Sequence, residues 1–431
     1  MEKYKEYKDS GVQWLGEIPS HWKVVPFKSV FDLMKGLSIT KANLTDEGIN
    51  VISYGQIHSK QNKYTQIVPE LYRKVSIDYL TTNPQALCNK EDFLIADTSE
   101  DIVGSGNFVR VDKEQQLFAG YHTIIARNKN VDNGHCLSYL MQSDKWRMQI
   151  WVQVHGVKLY SITRGILNST RLILPPIAEQ RSIVFYLDTK CSLLDTLLSN
   201  KEKEISLLQE MKQRVIADAV TRGVNPNVKF KATNIPWLPE IPEHWEMSKV
   251  GSHFRQRNMK VSDKEYPALS VSKMGVTPQL DNVALSNAEG NSRKFVKVGD
   301  YAVNSRSDRK GSCGVSQYEG SVSLITIVLE PFDIDRGYVH YLFRSNPWIE
   351  EFYRNGRGIV ADLWTTNYQM MKGMYLPVPP LSEQRAIVSY ITERTSKIDT
   401  LIEKLTKEIE CVKEYKQRLI SDVVTGQVKV C

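Results

Sequence analysis

The chain has 431 residues, 41% of them hydrophobic and 24% charged, with a formal net charge of +7, a composition that excludes wholesale disorder and leaves room for two hydrophobic cores. Its longest apolar runs, such as residues 323–329, fall far below the roughly 20 residues of a membrane span, and the opening MEKYKEYKDS lacks the apolar stretch of a secretion signal, so the expected location is the cytoplasm. Six cysteines (Cys88, Cys136, Cys191, Cys313, Cys411, Cys431) form no C-x-x-C pair, which argues against a zinc site or a disulfide framework and for buried or idle thiols.

The first landmark, WLGEIPSHW at 14–22, returns as WLPEIPEHW at 237–245, an offset of 223. A second landmark, PPIAEQR at 175–181, returns as PPLSEQR at 379–385, an offset of 204, so one unit occurs twice and its middle is 19 residues shorter in the second copy. The middles are mixtures of short β-type runs and turns that also align. Asp92-Phe-Leu-Ile-Ala96 parallels Asp300-Tyr-Ala-Val-Asn304, each followed by a Gly/Ser turn cluster, and HTIIA (122–126) parallels LITIV (324–328). Tyr139-Leu140, Ser143 and Trp146 parallel Tyr341-Leu342, Ser345 and Trp348. These patterns predict one α+β fold used twice.

Each unit closes on a long helical pattern. A Pro-Pro stop precedes it, Glu179 or Glu383 sits in the first turn to complement the helix dipole, and Ser382 is the expected N-cap of the second helix. Apolar residues then recur at spacings of four and three: Leu194, Leu198, Ile205, Leu208, Val215 and Ala219, and later Ile398, Ile402, Leu405, Ile409, Val412, Leu419 and Val423. That is a coiled-coil seam rather than the broad face of a globular helix. Lys212 and Lys416 fall beside it at equivalent places, and Lys201 stands where the second copy has Leu405; polar groups there cost stability and fix register, so the two helices are expected to pack on each other in one alignment. Gly223 and Gly426 follow the helices as C-caps. Residues 224–233 read as a polar connector to the second Trp motif. Because the first Trp motif begins the chain, the repeat order is cyclic, and the N-terminal segment is expected to dock near the end of the second helix.

Residues 23–172 carry 18 Lys+Arg against 14 Asp+Glu, and residues 247–376 carry 17 against 13. The excess positive charge therefore lies wholly in the two variable middles, as contact with a polyanion requires. Catalytic signatures are missing: there is no phosphate-binding G-x-x-x-x-G-K-[ST] loop, no H-E-x-x-H helix and no G-x-S-x-G elbow. The proline pairs occur only as LPPI and VPPL, without the Asn/Asp-Pro-Pro-aromatic element of amino-methyltransferases, and Asn346-Pro-Trp-Ile reads as a helix start beside a core Trp. His21 and His244 recur within the Trp motif, where a structural hydrogen bond is the better reading.

These features together resemble the specificity subunit of type I restriction-modification enzymes. The resemblance rests on the doubled Trp motif, on the two P-P-x-x-E-Q-R helix starts with their D-T-L and K-Q-R continuations, and on Gly299-Asp300-Tyr-Ala-Val-Asn304 with its Gly-rich turn. The first middle departs from it, with Ala96 at the place of Asn304. The resemblance implies two pseudo-repeated α+β target recognition domains, 1–172 and 228–376, separated by two long antiparallel coiled-coil helices in conserved spacers 173–227 and 377–431. A helix of about 40 residues is about 60 Å long, which would hold the domains about a helical turn or more of duplex apart. Each domain would read half of a split double-stranded DNA target.

Two modification (methyltransferase) subunits and two motor-nuclease (restriction) subunits would attach, and S-adenosylmethionine, ATP and Mg would be bound by those partners, with no cofactor, metal or catalytic residue in this chain. Phosphate contacts would give affinity and base-edge contacts sequence. The polar loops best suited to this hold Lys60, Asn62, Lys63, Lys158, Tyr160 and Arg164 in the first domain. In the second they hold Lys273, Asn304, Arg306, Arg309, Lys310, Arg357 and Asn367. The rival expectation is a coiled-coil adaptor with no nucleic-acid role.

Overall fold

A computed structural model of the chain describes residues 2–156, 158–279, 292–358 and 364–430; Cys431 lies outside the described residues. The chain divides into two compact units, 1–200 with 408–431, and 201–407.

At the centre of the first unit is a four-stranded antiparallel sheet in the order Phe108–Arg110, Phe93–Ala96, Thr123–Asn128, Phe31–Lys35. The second unit has Cys313–Val315, Tyr301–Asn304, Thr326–Pro331 and Phe254–Gln256 in the same order. The strands aligned from sequence thus occupy identical places. Successive side chains point to opposite faces of a strand, and here both faces are covered. Phe93 and Ile95 enter a core with Trp146 and Leu137, while Leu94 and Ala96 enter another with Val109 and Ile125. In the second unit Tyr301 and Val303 pack with Trp348, and Ala302 with Val328 and Val322. Burial on both faces is why these runs are continuously apolar instead of alternating. Trp146 and Trp348 lie on the helices Asp144–Trp151 and Asn346–Arg354, as the helix-start reading of Asn346-Pro-Trp requires.

The long helices span Ile177–Arg222 and Leu381–Val424. Ser382 is inside the second one and does not cap it. The first turns are tied to the proline pairs by Gln180 and Gln384, buried side chains whose Nε2 groups each donate back to the carbonyl of the first proline, Pro175 or Pro379, at 2.8 Å. In the first unit the start of the first helix (Ile183, Leu187, Cys191) packs against the end of the second (Leu419, Ile420, Val423), so the pairing is antiparallel. In the second unit the end of the first helix (Ile216, Ala219, Val220) shares a core with the start of the second (Ile387, Ile391). The seam lysines have partners that spacing alone did not identify. Lys416 Nζ reaches Asp195 Oδ1 at 2.6 Å in the first unit, and Lys212 Nζ reaches Asp399 at 2.6 Å in the second. Both aspartates belong to the repeated D-T-L, so the ion pairs are equivalent and lock the same register twice.

The two repeated motifs bind each other. The Trp22 indole N–H and the Tyr4 hydroxyl each donate to Glu179 Oε2 at 3.0 Å, and His21 Nε2 lies 2.6 Å from Glu179 Oε1. Burial alone would raise this carboxyl, but the hydrogen bonds from Trp22, His21 and Tyr4 outweigh it and hold it below the usual range. In the second unit His244 Nε2 lies 2.8 Å from Glu383 Oε2, while the buried Trp245 indole has no partner among the described residues. The cyclic order is closed as expected. Glu2 bridges Lys429, Tyr7 donates to the Gly426 carbonyl at 2.9 Å, and Gln427 donates to the Glu17 carbonyl at 2.7 Å. Gly426 (φ +74°) presses on Pro19 and Trp22, and Gly223 (φ +77°) lies against Trp245 and Glu383. The connector is not wholly irregular: Phe230–Ile235 is a strand on Leu238–Pro242, the counterpart of Tyr7–Asp9 on Glu17–Pro19, because the Trp-motif strand needs a partner for its backbone groups.

Candidate nucleic-acid interface

Both units carry a cleft beside the loop that follows Phe93–Ala96 or Tyr301–Asn304, reached also by the helix Asp144–Trp151 or Asn346–Arg354, and that loop pairs with the segment that leads into the last strand of the unit. In the first unit Tyr160–Ser161 pairs with Thr98–Ser99. In the second, Thr365 bridges Arg306 and Arg357, and Thr366 N–H donates to the Ser305 carbonyl. The segment then turns into a short helix capped by Thr163 or Asn367, whose side chain accepts from Ile166 or Met370 N–H.

The first cleft, about 500 Å³, is lined by Tyr54, His58, Tyr64, Asp101, Asn107 and Arg147 among others. Asn107 organises it: its Oδ1 accepts from Arg147 Nη1 (2.7 Å) and the Tyr64 hydroxyl (3.1 Å), and its amide lies 3.1 Å from His58 Nδ1. Arg147, 6% exposed, stacks its guanidinium 4.9 Å from the Tyr64 ring centre. The reading of Asn62 as a base contact is corrected here. Its side chain is buried, donating to the Ile57 and Phe108 carbonyls and accepting from Tyr64 N–H, and this holds Tyr64 at φ +60°. Lys60 and Lys63 are exposed on that same loop, and Lys158 and Arg164 are exposed either side of the half-buried Tyr160.

The second cleft, about 760 Å³, is walled by Trp237, Trp364 and Tyr353 and edged by Asp308, Lys310, Glu350 and Arg354. Asn304 lies at its base, half-buried. The Asn304 side-chain oxygen accepts from Arg306 N–H and its carbonyl accepts from the Tyr353 hydroxyl at 2.7 Å, so it shapes the loop rather than projecting from it. Of the residues expected from sequence Lys310 lines this cleft, Arg306 and Arg357 are brought together through Thr365, Arg309 stands on the Ser307–Arg309 turn, and the Asn367 side-chain oxygen is committed to the helix cap. Lys273 does not line it. It sits exposed in the turn of the hairpin Leu269–Ser272/Gly275–Pro278, tied in by Arg344, which donates to the Lys273 and Cys313 carbonyls at 2.6 Å. Arg147, Asn107, Trp364 and Glu350 are not marked by the sequence, whereas His58 and Asp308 stand within the polar loops it singles out. The helix positions of Arg147 and Glu350, on segments aligned through Trp146 and Trp348, were the available signal. Among the described residues no group of His, Cys, Asp or Glu could hold a metal ion, and no helix is long and apolar enough to cross a membrane.

Comparison with known proteins places these features in a family context. The family model "Type I restriction modification DNA specificity domain" matches residues 19–207. A putative type I restriction enzyme specificity subunit of Methanocaldococcus jannaschii is 25% identical over 100% of this chain and 99% of its own, and the EcoKI specificity subunit of Escherichia coli is 20% identical over 96% and 90%. A chain from a structure of a type I R-M system superposes with a TM-score of 0.66 at 16% identity over 95% of this chain and 99% of that one. The HsdS subunit from Thermoanaerobacter tengcongensis gives 0.52 at 16% identity over 95% and 98%. These structural likenesses speak for the α+β fold.

Proposed function

We propose that this chain is a specificity subunit of the type I restriction-modification kind, as the family model over residues 19–207 and the full-length relatives support, and that it is the non-catalytic subunit that reads a two-part DNA target and scaffolds the modification and restriction subunits. The observation that carries this is that two units with the same strand order each have a cleft beside the loop after the equivalent strand, with exposed cations on the neighbouring loops. In this reading residues 1–172 and 228–376 are the two readers, and 173–227 and 377–431 the spacers that set the gap between half-sites. Lys60, Lys63, Lys158 and Arg164 serve the first half-site, and Arg306, Arg309, Lys310 and Arg357 the second, through phosphate and base-edge contacts.

Two modification subunits and two motor-nuclease subunits complete a cytoplasmic complex, and bring S-adenosylmethionine, ATP and Mg with them. Exposed apolar side chains on the long helices, Phe185 and Leu193 on the first and Leu401 and Tyr415 on the second, supply the contact area that partner subunits require. The test is co-expression with the modification subunit of the same operon, followed by genome-wide mapping of N6-methyladenine. A two-part motif with a fixed gap is the expected result. An intact complex that yields no such motif would favour a coiled-coil adaptor without a nucleic-acid role.

A further inference from the structure

The exposed cations on the loops of the two units are held differently. In the first unit Lys60, Lys63, Lys158 and Arg164 have no carboxylate within 4.0 Å among the described residues. In the second, the Arg306 guanidinium is clamped by Asp308 through two contacts of 3.0 Å, and Arg309 Nε lies 3.8 Å from the same carboxylate. Lys310 Nζ sits 3.1 and 2.8 Å from the two oxygens of Glu350, and Arg354 is paired with Glu351. Asp308 comes from the loop after Tyr301–Asn304, and Glu350 from the helix Asn346–Arg354 packed beneath it. The acids thus sit on the same cleft edge as the cations they hold.

A carboxylate and a phosphate present the same partner to Arg or Lys: two anionic oxygens able to take paired N–H donors. We propose that Asp308 and Glu350 occupy, in the free protein, the places that DNA phosphates take in the complex, so that the second unit engages duplex by exchanging carboxylate for phosphate. This rests on the DNA-reading function proposed above. Two consequences follow from the chemistry. Non-specific duplex offers only phosphates and must displace carboxylates already in position, so its binding is suppressed. A cognate site displaces the same carboxylates but adds base-edge contacts, which keep it bound at salt concentrations that release non-specific duplex. The exchange is reversible because exposed ion pairs of this kind are weak and salt-screened.

The experiment uses the full-length chain and its Asp308→Asn, Glu350→Gln, Lys310→Met and Glu350→Gln/Lys310→Met variants, with a mixed-sequence duplex as probe, followed by fluorescence anisotropy between roughly 50 and 200 mM salt. Glu350 and Lys310 are exposed, so these changes leave the fold intact. The exchange predicts that Asp308→Asn and Glu350→Gln each tighten binding to the mixed-sequence duplex by about two- to fivefold and steepen the log–log salt dependence by up to about one. In the Lys310→Met background Glu350→Gln should then have no effect. Unchanged or weaker binding by Glu350→Gln, or a gain that survives the loss of Lys310, would overturn the exchange alone. A wild-type chain that binds no duplex at any salt would overturn the DNA-reading function and the exchange with it.

Discussion

Glu179 and Glu383 occupy the same place in the repeat, yet the structure predicts very different costs for removing them. Glu179→Ala takes the acceptor from three donors. The Trp22 indole is fully buried, and leaving its N–H without a partner costs about 1–3 kcal/mol. The His21 and Tyr4 contacts are partly exposed and add together no more than about 1 kcal/mol, for a total of about 1–4 kcal/mol. Glu383→Ala loses only the contact with His244, which is 47% exposed, and should cost under about 1 kcal/mol. Trp245 N–H gives nothing to Glu383 that could be lost. The assay is urea denaturation followed by circular dichroism, with amide hydrogen exchange resolving 17–22 from 238–245. Trp22→Phe in the Glu179→Ala background should recover part of the loss. The Glu179 carboxyl is held below its ordinary value of 4.5, so the clamp's contribution is fully present above about pH 4.5 and is withdrawn as pH falls through the lower folded-state value. Equal losses for the two glutamate variants, or a Glu179→Ala cost near zero, would mean that Glu179 does not hold the Trp22 indole in solution.

Gly426→Ala should be far more damaging than Gly223→Ala. Both sit at φ near +75°, but a Cβ at Gly426 would meet Pro19 Cδ at 2.3 Å, whereas at Gly223 the nearest atoms are at 3.2 Å; losses above about 2 and near 1 kcal/mol respectively are expected from thermal or urea unfolding. His340, pushed by burial down to about 4 from 6.5, must stay neutral in the native state. Its stabilising contribution is therefore complete above about pH 6.5 and lost as pH falls toward 4, and acid titration should show His340→Gln removing roughly 2 kcal/mol of that pH dependence. Arg309→Ala should lower the salt slope by about one and relax recognition of one half-site only, which methylation mapping would read out; equal loss at both halves would point to misfolding. Lengthening the first helix by one turn near Asn200, about 6 Å and so about two base pairs of duplex, should change the gap in the methylated motif and leave both half-sites as they were.

The repeat, the long helices and the central strands were legible because each rests on local periodicity: heptad-like spacing for the helices, unbroken apolar runs for Phe93–Ala96 and Tyr301–Asn304, and Gly at the C-caps. Even the cyclic closure followed from the order of the motifs alone. Details that depend on which side chain turns inward did not follow. Asn62 stands between Lys60 and Lys63 in a polar loop and looks like its neighbours, yet the carbonyls of Ile57 and Phe108 converge on it and draw it into the interior. Ser382 fits the composition of an N-cap, but the helix already begins at Leu381, which places Ser382 inside its first turn.

The partners of the charged residues divide along the same line. The positions of Lys212 and Lys416 on their helices were set by spacing within one segment, because a helix brings together only residues three or four apart. Their aspartates lie 187 and 221 residues away, as Glu350 lies 40 from Lys310 and Asn107 lies 49 from His58. The two copies, the elements of each and the placing of the excess charge are thus written locally along the chain. The tertiary structure alone decided which cations meet a carboxylate and which stand open, because that depends on segments brought together only when both faces of the central sheet are buried.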